Sequence, residues 1–117
     1  MALKLNELNF ITVDDENPKY RTYQRGDDIL EYTVGDCEIG IDWVSGRDAA
    51  AMLKAIHSFE GEGVTCLCGY VTDKLGSASD QGLQRFGRMI AHQLGSPWKA
   101  RIEVIEGRRF LVFTKEG

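Results

Sequence analysis

Residues 20–44 read "YRTYQRGDDILEYTVGDCEIGIDWV", and the spacing of their apolar side chains predicts three consecutive β-strands. Turns are expected at Gly26–Asp27 and Gly35–Asp36, because glycine beside aspartate favours tight reversals. If Gly35–Asp36 is a two-residue loop, Val34 lies opposite Cys37. The predicted core face comprises Leu30, Tyr32, Val34, Cys37, Ile39, Ile41 and Trp43. The opposite, acidic face comprises Ile29, Glu31, Thr33, Glu38, Gly40 and Asp42.

Two helix starts follow this meander. Ser45 and Asp48 have the spacing of a capping box and predict a helix over about 46–60. Ser77 and Asp80 repeat that spacing and predict a second helix, which ends near Leu94. The core stripe of the second helix is predicted to be Leu83, Phe86, Gly87, Ile90 and Leu94. Its outward, basic stripe is predicted to be Gln81, Arg85, Arg88 and His92.

Three further segments complete the expected fold. Residues 8–13 and 64–71 are predicted strands, and residues 98–115 are a predicted hairpin that turns at Glu106–Gly107. The resulting order is β-β-β-β-α-β-α-β-β. It indicates an α+β, two-layer sandwich, in which two helices cover one face of a mixed, mostly antiparallel sheet. Because 117 residues suffice for one core, residues 1–117 are expected to form a single domain.

Composition narrows the class of protein. No apolar run reaches the about 18 residues of a membrane span, and three cysteines suit reduced thiols, so a cytoplasmic protein is expected. The net charge of −4 combines an acidic first part with a basic remainder. Residues 1–63 hold 13 acidic and 6 basic side chains, whereas residues 64–117 hold 5 and 8. The whole chain therefore lacks the strongly basic balance typical of nucleic-acid-binding proteins.

The stretch "VTCLCGY" at 64–70 places Cys66 and Cys68 one residue apart. In an extended strand, residues two apart are about 6.6 Å apart at Cα, which is wide for two ligands of one metal ion. Apolar residues on both sides of the alternation favour packing within a strand buried on both faces. The alternatives are a metal site completed by His57 or His92 and a redox pair. We expect no metal and no cofactor.

Two further motifs suggest small-molecule chemistry. The stretch "LGSASDQG" at 75–82 has the glycine and hydroxyl content of an anion-binding helix start, although capping alone accounts for its serines. Gln84-Arg85-Phe86-Gly87-Arg88-Met89 resembles the coenzyme A loop of the acetyltransferase superfamily. That pattern is Arg or Gln, two residues, Gly, one residue, then Gly or Ala, and Met89 departs from it at the last position. The resemblance would imply coenzyme A binding.

Two surfaces are predicted to bind partners. One is the acidic sheet face, and the other is the basic C-terminal half, where the final hairpin exposes arginine beside aromatic and apolar residues. The predicted partner-binding residues are Glu31, Glu38, Asp42, Arg85, Arg88, Arg101, Arg108 and Phe110. No catalytic residue is assigned, because neither histidine has a cysteine or serine at the spacing of a nucleophile pair.

These features favour a non-enzymatic binding protein that blocks the surface of a partner protein. Immunity proteins for bacterial toxins and phage- or plasmid-borne inhibitors of host defence are of this class. One alternative is nucleic-acid binding through Arg85, Arg88, Lys99, Arg101, Arg108 and Arg109, with Phe110 stacking on bases. A second alternative is a small enzyme that binds coenzyme A or a nucleotide. Homodimerisation through an open sheet face or sheet edge is also expected to be possible.

Overall fold

The described residues form one eight-stranded sheet and two helices. The computed structural model describes residues 2–4, 9–46, 48–61, 63–70 and 79–115. The strands are β1 (Ala2–Lys4), β2 (Asn9–Val13), β3 (Tyr20–Arg25), β4 (Asp28–Val34), β5 (Glu38–Ser45), β6 (Cys66–Tyr70), β7 (Trp98–Ile105) and β8 (Arg108–Lys115). The helices are α1 (Ala49–Glu60) and α2 (Asp80–Leu94).

The strands are arranged in the order β1-β2-β3-β4-β5-β6-β8-β7. Among the described strands, only β5 and β6 pair in parallel, and α1 lies between them in the chain. Every other neighbouring pair of the described sheet is antiparallel. The predicted α+β sandwich with a mixed, mostly antiparallel sheet is therefore confirmed. The structure adds one strand, β1, before the predicted first strand.

Both helices pack on the same face of the sheet. Met52 and Ile56 of α1 and Leu83 of α2 are fully buried in one hydrophobic core. The sheet contributes to that core Ile11, Tyr23, Leu30, Tyr32, Ile39, Leu67, Leu111 and Phe113. Since apolar burial is the main favourable contribution to folding, this helix-covered face holds most of the stability.

The close approach of α2 to the final hairpin depends on Gly87. A Cβ atom at this position would lie 3.0 Å from both Ala100 Cβ and Leu111 Cδ1. The predicted stripe that included Gly87 is thus confirmed as the face that contacts β7 and β8. The same packing leaves the other side of the hairpin uncovered by either helix.

The hairpin between β4 and β5 has a different register from the predicted one. Val34 lies opposite Ile39, and the Gly35 amide donates to the Glu38 carbonyl at 2.7 Å. The two residues at the centre of the turn are therefore Asp36 and Cys37 instead of Gly35 and Asp36. Cys37 lies in this turn and is exposed, so its predicted place in the core is wrong.

A β-bulge in β5 changes the face of Trp43. Tyr32 lies opposite Ile41, but Glu31 lies opposite Trp43, which leaves Asp42 as an extra residue in β5. The extra residue reverses the alternation of the following side chains. Val44 consequently takes the core position opposite Leu30. Trp43 is 54% exposed on the opposite face, so its predicted place in the core is wrong.

Both helix starts also differ from the predicted caps. Asp48 is the N-cap of α1, and its Oδ1 accepts from the Ala51 amide at 3.0 Å. Ser79 is the N-cap of α2, and its Oγ accepts from the Gly82 amide at 3.1 Å. Ser77 lies outside the described residues. Each observed cap side chain accepts from a free amide of the first turn, and both helices begin later than predicted.

A polar cluster fixes the end of α1 to the sheet. Glu60, whose side chain is 6% exposed, forms an ion pair with Arg21 of β3. The Tyr32 hydroxyl donates to Glu60 Oε2 at 2.7 Å. Burial and the neighbouring Glu60 raise the pKa of Tyr32 above its usual range, so it remains a hydroxyl donor. The Arg21 guanidinium also lies 6.0 Å from the centre of the Phe59 ring.

We expect Gly87→Val to destabilise the protein by about 2 kcal/mol, because its side chain would push α2 away from Ala100 and Leu111. Urea unfolding followed by circular dichroism measures this change. Gln84→Val is the matched control, since Gln84 is exposed on the same helix. Equal losses in both variants would contradict the close approach of helix and sheet.

Glu60→Ala should lower the free energy of unfolding by about 2 kcal/mol, since it leaves the Arg21 charge and the Tyr32 hydroxyl without their shared acceptor. Glu103→Ala, which removes an exposed ion pair with Arg101, should cost less than about 1 kcal/mol. The two variants are compared by urea unfolding. A Glu60→Ala loss no larger than that of Glu103→Ala would show that the cluster adds little.

Candidate functional site

The face of the sheet opposite the helices brings together residues from β3 to β8. Strand register places on this open face Tyr20, Glu31, Trp43, Glu38, Cys66, Cys68, Val112, Arg101 and Phe110. The predicted acidic face and the outward side of the final hairpin are therefore parts of one continuous surface. The sequence predicted two separate surfaces, because it does not show that β6 pairs with both β5 and β8.

The acidic part of the open face has an exposed tryptophan beside it. We define the acidic patch as Tyr20, Glu31, Glu38, Asp42 and Trp43. Glu31 lies directly opposite Trp43 in the β4–β5 ladder. Asp42 Oδ2 accepts from the Thr33 hydroxyl at 2.8 Å, which holds this carboxylate on the open face. Glu38 lies at the start of β5, next to β6.

Tyr20 shows the electrostatic character of the acidic patch. Burial, a hydrogen bond with Glu31 and the charges of Glu31 and Asp42 raise the pKa of Tyr20. All of these effects disfavour a phenolate, so the tyrosine stays neutral and presents a hydroxyl among carboxylates. The arrangement suits contact with cationic groups and is a poor environment for a nucleophilic anion.

The other half of the open face is built by β7 and β8. Arg101 is exposed there, and its Nε and Nη2 atoms each lie 2.9 Å from Glu103 Oε1. Phe110 is half-buried, and Arg108 is exposed beside the Glu106–Gly107 turn. The predicted pairing of this hairpin, with Ile105 opposite Arg108, is confirmed.

Arg85 and Arg88 do not join these residues. Both are exposed on α2, which covers the opposite side of the sheet. Arg109 also points to that side, where its Nη1 donates to Asp80 Oδ1 at 2.9 Å. The basic residues of the C-terminal half are therefore divided between two faces.

An open groove lies between α2 and β7. It has a volume of about 410 Å³ and is lined by Arg88, Ala91, His92, Trp98, Lys99 and Ala100. The cationic groups at its rim and the apolar groups on its floor could receive an anionic ligand that has an apolar part.

Cys66 and Cys68 lie half-buried on the open face, while Leu67 between them is fully buried under the helices. The strand is thus completely buried only on the Leu67 side, in contrast to the predicted burial of both. Burial is the main cause that raises the pKa of both thiols, and Glu38 contributes further. Both thiols are therefore weak nucleophiles near neutral pH.

His57, one of the two histidines considered as a metal ligand, has structural contacts. His57 Nε2 lies 3.0 Å from the Val64 carbonyl oxygen, and its ring contacts Trp98 edge to face at 5.1 Å. These contacts join α1 to the segment before β6 and to the start of β7. Among the described residues, no three His, Cys, Asp or Glu side chains converge to hold a metal ion.

The structure places the coenzyme A-like motif within a helix and describes only part of the predicted anion-binding stretch. Residues 84–89, which resemble the coenzyme A loop, lie within α2 and not at its start, and Gly87 contacts the sheet. Residues 75–78 of the predicted anion-binding stretch lie outside the described residues, and Ser79 caps α2. Neither described helix has the length and hydropathy of a membrane span.

Sequence reasoning missed Trp43 as a surface residue. The signal lay in "DWV" at 42–44, where Trp43 and Val44 are adjacent apolar residues and only one of them can face the core. Strict alternation after Ile39 and Ile41 predicts that Trp43 faces the core, whereas the bulge at Asp42 turns Val44 to the core instead.

Comparison of the chain with protein-family models, with curated proteins and with solved structures finds no match.

Alkylation by iodoacetamide at pH 8 should modify Cys37 first, because it is exposed, and Cys66 and Cys68 about tenfold more slowly. Their raised pKa values leave less thiolate at this pH, so their rates should increase as the pH rises further. Peptide mass spectrometry measures each site. Cys37→Ser should remove the fast phase, and rapid modification of Cys66 or Cys68 in that variant would contradict the expected order.

Proposed function

We propose that this protein is a non-enzymatic binding domain whose acidic patch docks on a basic surface of a partner protein and blocks it. An inhibitor or immunity protein acts in this way. The observation that carries the proposal is the exposed Trp43 ring, which lies opposite Glu31 in the ladder and follows Asp42 in β5, on the sheet face that neither described helix covers.

The exposure of Trp43 supports a contact surface. Tryptophan is among the residues most enriched at the energetic centres of protein interfaces, because it buries a large area at low entropic cost. In this chain the ring is outward although Val44 offers the core a suitable apolar residue. Local alternation and core packing together would have tolerated a polar side chain at position 43.

The negative charges around Trp43 favour a basic partner. Three carboxylates of the acidic patch lie on one rigid sheet, so they approach a partner without loss of loop entropy. Carboxylates at the rim of an interface favour a partner rich in lysine or arginine and increase the rate of association. A basic toxin or a nucleic-acid-binding enzyme is a partner of this chemistry.

The proposal is tested by capture of partner proteins on the immobilised chain, followed by binding measurements with the purified partner. Trp43→Ala should weaken binding at least about tenfold, as expected for a residue at the centre of an interface. The triple reversal of Glu31, Glu38 and Asp42 to lysine should abolish binding. Increasing salt should slow association of the wild-type protein.

Met89→Ala supplies the matched control, because Met89 is 50% exposed on α2, away from the open face. It should bind the partner as the wild type does. A partner that binds the triple-reversal variant as tightly as the wild type would refute the proposal. So would a loss with Met89→Ala that equals the loss with Trp43→Ala.

A second candidate function, nucleic-acid binding, is favoured by the groove between α2 and β7. Arg88, His92 and Lys99 line this groove beside Trp98. Binding there should weaken steeply with salt and with Arg88→Glu. An unchanged mobility of RNA and DNA in the presence of the protein would exclude it.

A further inference from the structure

The β7 strand forms one edge of the described sheet, beyond β8. The two-residue turn at Glu106–Gly107 makes Ile105 and Arg108 a hydrogen-bonded pair. Hydrogen-bonded pairs alternate along an antiparallel ladder, so Ala100, Ile102 and Val104 direct their amides and carbonyls toward the open edge.

Two features that prevent strand addition, proline and a β-bulge, are missing from this edge, and its charged residues Lys99, Arg101 and Glu103 are of both signs. β7 is eight residues long and contains no proline, and its pairing with β8 is regular throughout. Val104 is 66% exposed and Ile105 is 49% exposed, both at the end nearest the turn. A long, regular edge with exposed apolar side chains is a template for another strand.

We propose that the occupant of this edge is the β7 strand of a second copy of the chain, paired antiparallel about a two-fold axis at Ile102. In this register Ala100 lies opposite Val104 of the second copy, and Ile102 lies opposite its own counterpart. These are the outward-directed residues, so they exchange about six backbone hydrogen bonds. The exposed Val104 becomes covered on the helix side of the joined sheets.

Charge complementarity selects this register. Arg101 lies opposite Glu103 of the second copy, and the symmetry repeats the pair. Both pairs occupy non-hydrogen-bonded positions, where side chains across an antiparallel ladder are closest. A shift that centres the axis on Arg101 places two arginines face to face, and one that centres it on Glu103 places two glutamates face to face. Of these three registers, only the one centred on Ile102 avoids a like pair at these positions and pairs Arg101 with Glu103.

The same register also brings opposite charges together at the ends of β7. Trp98 lies opposite Glu106 of the second copy, so the acidic turn residue comes beside the groove lined by Arg88 and Lys99. Each copy supplies one turn and one groove, as a two-fold interface requires. This surface is separate from the acidic patch on β4 and β5, so the proposal does not depend on the proposed partner protein.

Two single charge reversals test the pairing. Arg101→Glu places glutamate opposite Glu103, and Glu103→Arg places arginine opposite Arg101, so each variant should raise the dimer dissociation constant roughly tenfold by sedimentation velocity. An equimolar mixture of the two variants should form a heterodimer of wild-type affinity, because every cross-strand pair is again of opposite charge. Mixing cannot restore the ion pair within a chain, so this recovery reports contacts between chains.

Arg85→Glu on α2 is the control and should dimerise as the wild type does. Val104→Lys provides a second disruption, which adds a charge at an exposed position that needs no rearrangement of the single chain. A wild-type protein that stays monomeric at millimolar concentration would overturn the proposal. A mixture that associates no better than either variant alone would overturn it as well.

Discussion

The parallel pairing of β5 with β6 is the constraint on which the rest of the structure depends. Parallel neighbours need a crossover, and α1 provides it on one face of the sheet. The core on that face then receives α2, whose close approach is possible because residue 87 has no side chain. Because both described helices occupy one face, neither of them covers the opposite face. The candidate binding surface is thus a consequence of the crossover.

The polar cluster at Glu60 joins the end of α1 to the sheet. A carboxylate at the last residue of a helix is unfavourable with respect to the helix dipole. Here Arg21 supplies a compensating charge and Tyr32 a hydroxyl, and they lie on β3 and β4. The end of α1 is therefore joined to two strands that the parallel pair does not include. The cluster couples the meander to the crossover.

The open face combines features that would be unfavourable in a core. Trp43 is outward because Asp42 is inserted in β5, and Tyr20 remains neutral among carboxylates. Cys66 and Cys68 lie between the acidic and basic parts of this face. Their pKa values are raised, so they fill space there and are weakly reactive. A surface of rigid aromatic and charged groups, with weakly reactive thiols, is suited to recognition more than to covalent chemistry.

The sequence by itself determined the order of the strands and helices from β2 onward, the apolar stripe of α2 and the pairing of the final hairpin, because each depends on local periodicity or on a short turn. It did not determine the β4–β5 register. The turn lies one residue later than predicted, at Cys37, and the bulge at Asp42 interrupts the alternation, so that Val44 packs against the core. It also could not show that Glu38 and Arg101 share one face, which depends on β6 pairing with both β5 and β8. Such long-range pairing is decided by burial across the whole sheet, and only the tertiary structure contains it.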